Sequence, residues 1–178
     1  MTTTAATPPA HVSRPIGPAV LRQLRTRDDA GVTRTPLADP DGGAPLRCCL
    51  RHSTAGERIL LVSYAPLQRW AAETGAEPGP YDERGPVFIH AEECGGPAPA
   101  PDGCTDPAYP VRMHGARRVL RAYDAQGRIL GGRLIEIPVE RAAEVDTALA
   151  EVFADPQVAL VHVRAVEFGC FLLEVRRR

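Results

Sequence analysis

Apolar and polar positions change period several times along the chain, and each change marks an element. From Val139 to Phe153, the residues Ala142, Val145, Leu149, Val152 and Phe153 recur at helical spacing and form one apolar stripe. Pro138 opens that helix and Asp155-Pro156 stops it. Other stretches have strand character. "GERILLVSYAP" sets Ile59 and Leu61 against Leu60 and Val62, a strand buried on both faces. "GPVFIHAEE" and the short "LRCCLR" are further strands, and "RRVLRAYDAQGRILGGRLIEIP" is a hairpin across "DAQG" with a bulge at Gly131-Gly132. The C-terminal "VALVHVRAVEFGCFLLEV" is a strand pair around a turn through Ala165 to Gly169.

The remaining segments connect these. "GPAVLRQLR" predicts a short helix opening at Pro18, and "TPLADPDGGAP" is turn chemistry. "LQRWAAETGAEPGPYDE" reads as a connection with one helical turn around Trp70, and "CGGPAPAPDGCTDPAYP" as an irregular loop. The expected architecture is a single α+β domain with a mostly antiparallel sheet and one main helix, in the C-terminal half, packed on it. Residues 1–13 are expected as a disordered leader, 14–45 as a helix and loop segment, and 46–178 as the α+β domain.

Composition narrows the function. Apolar content of 44% and charged content of 24% are globular values, so the 178 residues suffice for a real core. The net charge is -1 without a basic block, so no nucleic-acid partner is expected. All 21 basic residues are arginine, which excludes a Schiff-base lysine and a phosphate-loop lysine. The five cysteines are an odd number, no signal-like segment opens the chain, and no apolar run is long enough to cross a bilayer. A cytoplasmic, reduced protein without a membrane partner is expected.

Several stretches, "LRCCLR", "GERILLVSYAP", "PYDERGPVFIHAEEC", "VLRAYDAQGRIL" and "VFADPQVALVHVRAVEFGCFLLEVRR", together resemble the bacterial family catalogued as domain of unknown function 1203. The resemblance runs from about Leu46 to the end, with Ala165 where family sequences often have asparagine. It implies no particular reaction, cofactor or site.

The candidate chemistry lies on the C-terminal hairpin. By alternation, His162 and Arg164 share a face, and Cys170, Leu172 and Glu174 share one on the partner strand. A register with Arg164 beside Cys170 and His162 beside Leu172 presents imidazole, guanidinium and thiol together. His162 would exchange a proton, Arg164 would hold an anion, and Cys170 would act as nucleophile or acid. The plainer alternative is a satisfied core in which Arg164 pairs with Glu174 and Cys170 is a small buried hydrophobe.

Two other places carry weaker signals. His90 and Glu92 share a strand face as an acid–base couple. His90, Cys94 and Cys104 could hold zinc with His114 or Cys170 as fourth ligand, but there is no close Cys-x2-Cys knuckle, so the leading expectation has no metal and no cofactor. Cys48 and Cys49, read as strand neighbours, point to opposite faces and would not pair. Arg47 with Arg51, and Arg121 with Tyr123, are candidate walls of an anion pocket. No dinucleotide, nucleophile-elbow or zincin motif is present.

The expected function is therefore a small cofactor-independent enzyme acting on an anionic or carbonyl-bearing metabolite. It would use His162, Cys170 and His90 for chemistry, and Arg164, Arg47, Arg121 and Tyr123 for binding. A non-catalytic ligand-binding or regulatory module and a small zinc-binding protein are the alternatives. A small-molecule ligand and a monomer or homodimer complete the expectation.

Overall fold

The computed structural model describes residues 11–98 and 109–178, and within them the chain is an α+β protein with two mostly antiparallel sheets. The first sheet holds β1 (His11–Arg14), β10 (Phe171–Arg177), β9 (Leu160–Ala165), β7 (Arg117–Tyr123) and β8 (Ile129–Glu136), in that order. The second holds β2 (Leu37–Ala38), β5 (Arg58–Tyr64), β6 (Gly85–His90), β3 (Pro45–Leu46) and β4 (Arg51–His52). Its one parallel pairing sets Leu46 of β3 beside Phe88 of β6.

Three α-helices cover the sheets. Pro18 opens α1 (Pro18–Thr26), which buries Leu21 and Leu24 against the second sheet. Pro66 opens α2 (Pro66–Thr74), and Gly75 closes it in the left-handed conformation that a side chain would strain. The expected single turn around Trp70 is thus a nine-residue helix, stabilised by burial of Leu67 and Trp70 against Tyr123 and Leu160. The stripe expected as one helix is divided. Val139–Glu144 winds as a 3-10 turn with Arg141 out of helical geometry, and α3 runs only from Val145 to Phe153.

The first sheet has two different faces. Leu120, Val161, Val163, Leu173 and Val175 pack on Val145, Leu149 and Phe153 of α3. A Leu149→Ala change there would cost about 2–5 kcal/mol. The opposite face looks toward α2 and the second sheet, where Phe171 meets the Tyr64 ring with centroids 5.6 Å apart.

Two register irregularities shape this sheet. Ala122 pairs with Gly131 while Tyr123 pairs with Ile129, so Leu130 is the extra residue, beside the expected diglycine. On the C-terminal hairpin, Phe171 pairs with Arg164 and Leu173 with Val163, so Leu172 is extra. This bulge lets Leu172 and Leu173 both join the α3 core and turns Phe171 to the other side. Strict alternation therefore fails here: His162 lies opposite Glu174, not Leu172, and Arg164 opposite Phe171, not Cys170.

The N-terminal segment is integrated into this architecture. His11, Val12 and Ser13, expected in the leader, are buried in β1 because they pair with β10. Residues 1–10 of that leader lie outside the described residues. β2 pairs with β5, and α1 packs into the core of the second sheet.

Candidate metal centre

"LRCCLR" is not a continuous strand. β3 ends at Leu46, β4 begins at Arg51, and the four residues between form a tight turn closed by Leu50 N–H donating to Leu46 O at 2.9 Å. Leu50 closes it with φ of 54°, in the left-handed region. In such a turn, neighbouring side chains are about 100° apart rather than 180°. Cys48 and Cys49 therefore reach the same side, and their sulfurs lie 3.9 Å apart.

Both sulfurs face His90 at the end of β6. His90 Nδ1 is 3.3 Å from Cys48 Sγ and 3.7 Å from Cys49 Sγ. Beyond β6, the chain turns at Gly95 and Gly96 (φ of 74° and 83°), and Cys94 joins the group. The ligand atoms of Cys48, Cys49, His90 and Cys94 all lie within 4.8 Å of one another. Arg25 of α1 fixes the exit from β6, donating to His90 O at 3.1 Å and Glu92 O at 2.7 Å.

Each sulfur also has a backbone donor. His90 N–H donates to Cys48 Sγ at 3.3 Å, Arg51 N–H to Cys49 and Gly96 N–H to Cys94. Such donors stabilise sulfur in its thiolate form. The Cys48 thiol donates to Cys49; that bond, together with burial, pushes Cys48 up, and the same bond outweighs burial to pull Cys49 below the usual thiol range. Burial also pushes Cys94 up. On the other side of the imidazole, Arg51 Nη2 is 3.1 Å from His90 Nε2, and Glu57 Oε1 is 3.6 Å away. Arg51 holds Glu57 with two bonds, of 3.0 and 2.7 Å, and keeps its carboxyl at about 2.

The family model described as "Protein of unknown function (DUF1203)" matches residues 43–177. The chain belongs to the DUF1203 family. The match takes in all four residues of the cluster. No curated protein and no solved structure matches the chain.

The other candidate residues of this DUF1203 chain are dispersed. His162 is 0% exposed, with Nε2 3.4 Å from Glu174 Oε2 and, among the described residues, no partner for Nδ1. Tyr123 and Phe171 enclose its ring, with centroids at 4.8 and 5.1 Å. Burial lowers its pKa even though Glu174 opposes that shift. The expectation of an open imidazole is corrected: α2 and the second sheet cover this face. Tyr123 is likewise fully buried rather than a pocket wall.

Arg164 and Arg121 converge on Glu83, Arg121 at 2.9 Å, and Arg164 also donates to Gly169 O at 2.5 Å. Arg164 and Cys170 still share a cleft of about 250 Å³, so the expected neighbours meet there without the expected pairing. Arg47 is buried, not on an exposed strand face, and is separated in role from Arg51. The His90–Glu92 couple is absent, because Glu92 pairs with Arg58 at 3.0 Å on the surface. Of the expected zinc ligands, His90 and Cys94 belong to the cluster. His114 is engaged by Tyr109 and Ile137 O, Cys170 sits at the other cleft, and Cys104 lies outside the described residues.

Strand alternation separates Cys48 from Cys49, whereas the turn at 47–50 brings them together. The available signal was Leu46 and Leu50, both buried at i, i+4 spacing, a helical rather than an extended period.

Proposed function

We propose that this protein binds one zinc ion through Cys48, Cys49, His90 and Cys94. The observation that carries the proposal is the convergence of three sulfurs and one imidazole nitrogen within 4.8 Å. Zinc–sulfur bonds of about 2.3 Å and zinc–nitrogen bonds of about 2.0 Å imply tetrahedral edges of about 3.5–3.8 Å. The spacings of 3.3, 3.7 and 3.9 Å lie close to those edges. A mixed thiolate and imidazole set suits zinc better than a hard cation.

Charge supports the same assignment. Three thiolates and a neutral imidazole around a divalent ion carry a net charge of about −1. Arg47, buried and bonded only to carbonyl oxygens among the described residues, supplies a neighbouring positive charge. Without an ion, His90 Nδ1–H donates to sulfur and Nε2 accepts from Arg51. With the ion at Nδ1 the proton would sit on Nε2, so Arg51 Nη2, 3.1 Å away, would have to yield to Glu57 Oε1, 3.6 Å away, for the carboxylate to support the metal-bound ring.

Four protein ligands close a tetrahedral shell, so the ion's role here is structural: it ties the β3–β4 turn to the end of β6 and the loop beyond. Reduced ligands fit a cytoplasmic location. An enzyme built on His162 has no support from the geometry, since no solvent reaches that ring. A second reading, binding of an anionic small molecule, is favoured by two guanidiniums sharing the single carboxylate of Glu83 beside the Arg164 cleft.

Elemental analysis of the purified chain tests the first reading. The expected result is about one zinc per chain, with cobalt substitution giving a tetrahedral thiolate spectrum. Loss of the metal in Cys48→Ser or His90→Ala supports the assignment. A chain that neither retains nor takes up zinc, with no change in melting temperature on zinc addition, overturns it.

A further inference from the structure

The four ligands differ in their access to solvent. Cys48, Cys49 and His90 are buried, whereas Cys94 is half-buried on the loop after β6. A cavity of about 390 Å³ opens beside it, between α1 and this loop, and is lined by Ile16, Leu21, Arg22, Cys48, Cys94 and Gly96 among others. Its volume is many times the roughly 30 Å³ share of a water molecule, so a small peroxide fits.

We propose that Cys94 is a site of oxidation by hydrogen peroxide or a small hydroperoxide, resolved as a disulfide with a thiolate of the Cys48–Cys49 turn, which releases the zinc ion. This rests on the zinc reading above. In the first step the Cys94 thiolate attacks the O–O bond, forming the sulfenic acid and releasing hydroxide (or alkoxide from a hydroperoxide). In the second, a turn thiolate attacks the sulfenic sulfur, the S–S bond forms, and a second hydroxide leaves. Two sulfurs each lose one electron, the peroxide gains two, and the hydroxides take protons from solvent.

The geometry favours this route over its competitors. Exposure selects the attacking sulfur, and Cys94 is the one ligand of the four that is not fully buried. A resolving sulfur is within 4.8 Å, and Cys48 shares the cavity wall. A bond between the adjacent Cys48 and Cys49 would need a strained ring within the tight turn. Once two of four ligands are tied in a disulfide, only one thiolate and the imidazole remain, too few to hold the ion.

The experiment uses the full chain loaded with zinc, hydrogen peroxide as oxidant, a chromogenic chelator to read free zinc, and mass spectrometry to map disulfides. The expected result is release of about one zinc per peroxide consumed, a cross-link from Cys94 to the Cys48–Cys49 turn, and rebinding after dithiothreitol. Cys104→Ser should behave as the parent does. A cross-link from Cys94 to Cys104, a Cys48–Cys49 bond with Cys94 still reduced, or zinc that stays bound under excess peroxide overturns the inference. Each of those leaves the zinc reading intact, whereas failure to load zinc beforehand removes the zinc reading itself.

Discussion

Arg47 donates from Nε and Nη2 to the carbonyl oxygen of Phe171, at 3.0 and 2.7 Å, across 124 positions of chain. The contact joins the cysteine-bearing turn to the bulged start of β10, and so couples the two sheets at the candidate centre. Burial lowers the arginine pKa to about 10, which leaves it charged at neutral pH. Arg47→Met should destabilise the protein by about 2–3 kcal/mol in urea unfolding, through loss of charge-assisted bonds to a buried carbonyl. It should also weaken zinc about tenfold, since the anionic centre loses its counter-charge. Arg47→Lys, which keeps the charge but not the fork, should recover the zinc affinity more than the stability. Parent-like stability in the Met variant would mean that the contact contributes nothing.

Asp28 anchors the loop after α1 to β5. Its carboxylate accepts from the N–H groups of Ala30, Val32 and Ser63, each at 3.0 Å, and from Arg34 at 2.7 Å. Burial raises its pKa, but these donors outweigh burial and hold it at about 2 against an ordinary 3.8. A depressed carboxylate stabilises the fold above its unfolded value, and that stability is lost as pH falls from about 3.8 toward 2. Asp28→Asn should cost about 1–3 kcal/mol at neutral pH and flatten the acid limb of the stability curve. An acid limb of unchanged slope counts against this role.

Legibility from sequence followed the regularity of the local pattern. α1, β5, β6 and the β7–β8 hairpin have clean periods or a proline start, and each appears where the pattern puts it, although Leu61 is exposed and β5 is not buried on both faces as expected. α2 was underestimated because its apolar face is just Leu67 and Trp70, which become a face only when Tyr123 and Leu160 arrive from the first sheet. At the C-terminal hairpin, alternation correctly separates a helix-facing side, but one bulged residue, Leu172, reassigns Cys170, Phe171 and Glu174 relative to His162. No local signal marks that bulge. The metal cluster was half legible: His90 and Cys94 stood out, while Cys48 and Cys49 required recognition that "RCCL" is a turn.

His162 should behave as a buried neutral imidazole, not as a catalyst. Burial is the main cause of its lowered pKa, partly opposed by Glu174. The unfolded chain thus takes up a proton more readily than the folded one, and stability contributed by the neutral ring is lost as pH falls below about 6.5. His162→Gln retains a donor toward Glu174 and removes this titration. The variant should lose the stability change between about pH 6.5 and 5 while keeping zinc affinity at neutral pH. The NMR titration of the parent ring provides a direct check: a midpoint above the ordinary histidine range refutes the sealed-core assignment.

Zinc affinity should rise with pH, and the slope counts the protons displaced. Cys48 and Cys94 are both pushed above the ordinary thiol range, Cys48 by its bond to Cys49 and by burial, Cys94 by burial. Both must be deprotonated when the ion binds, because the thiolate is the ligand. Cys49 lies below the usual range and contributes less. Glu57, held at about 2 by Arg51, stays ionised beside His90 Nε2 throughout. Between pH 6 and 8, Cys48 and Cys94 should therefore each release a proton when zinc binds, so the affinity should climb steeply with pH. Competition against a chelator of known pH dependence measures that slope. Cys94→Ser should reduce it by about one, and Glu57→Gln should weaken binding about tenfold without changing it. A slope near zero in the parent chain would exclude protonated thiols as the ligands and with them the assignment of this centre.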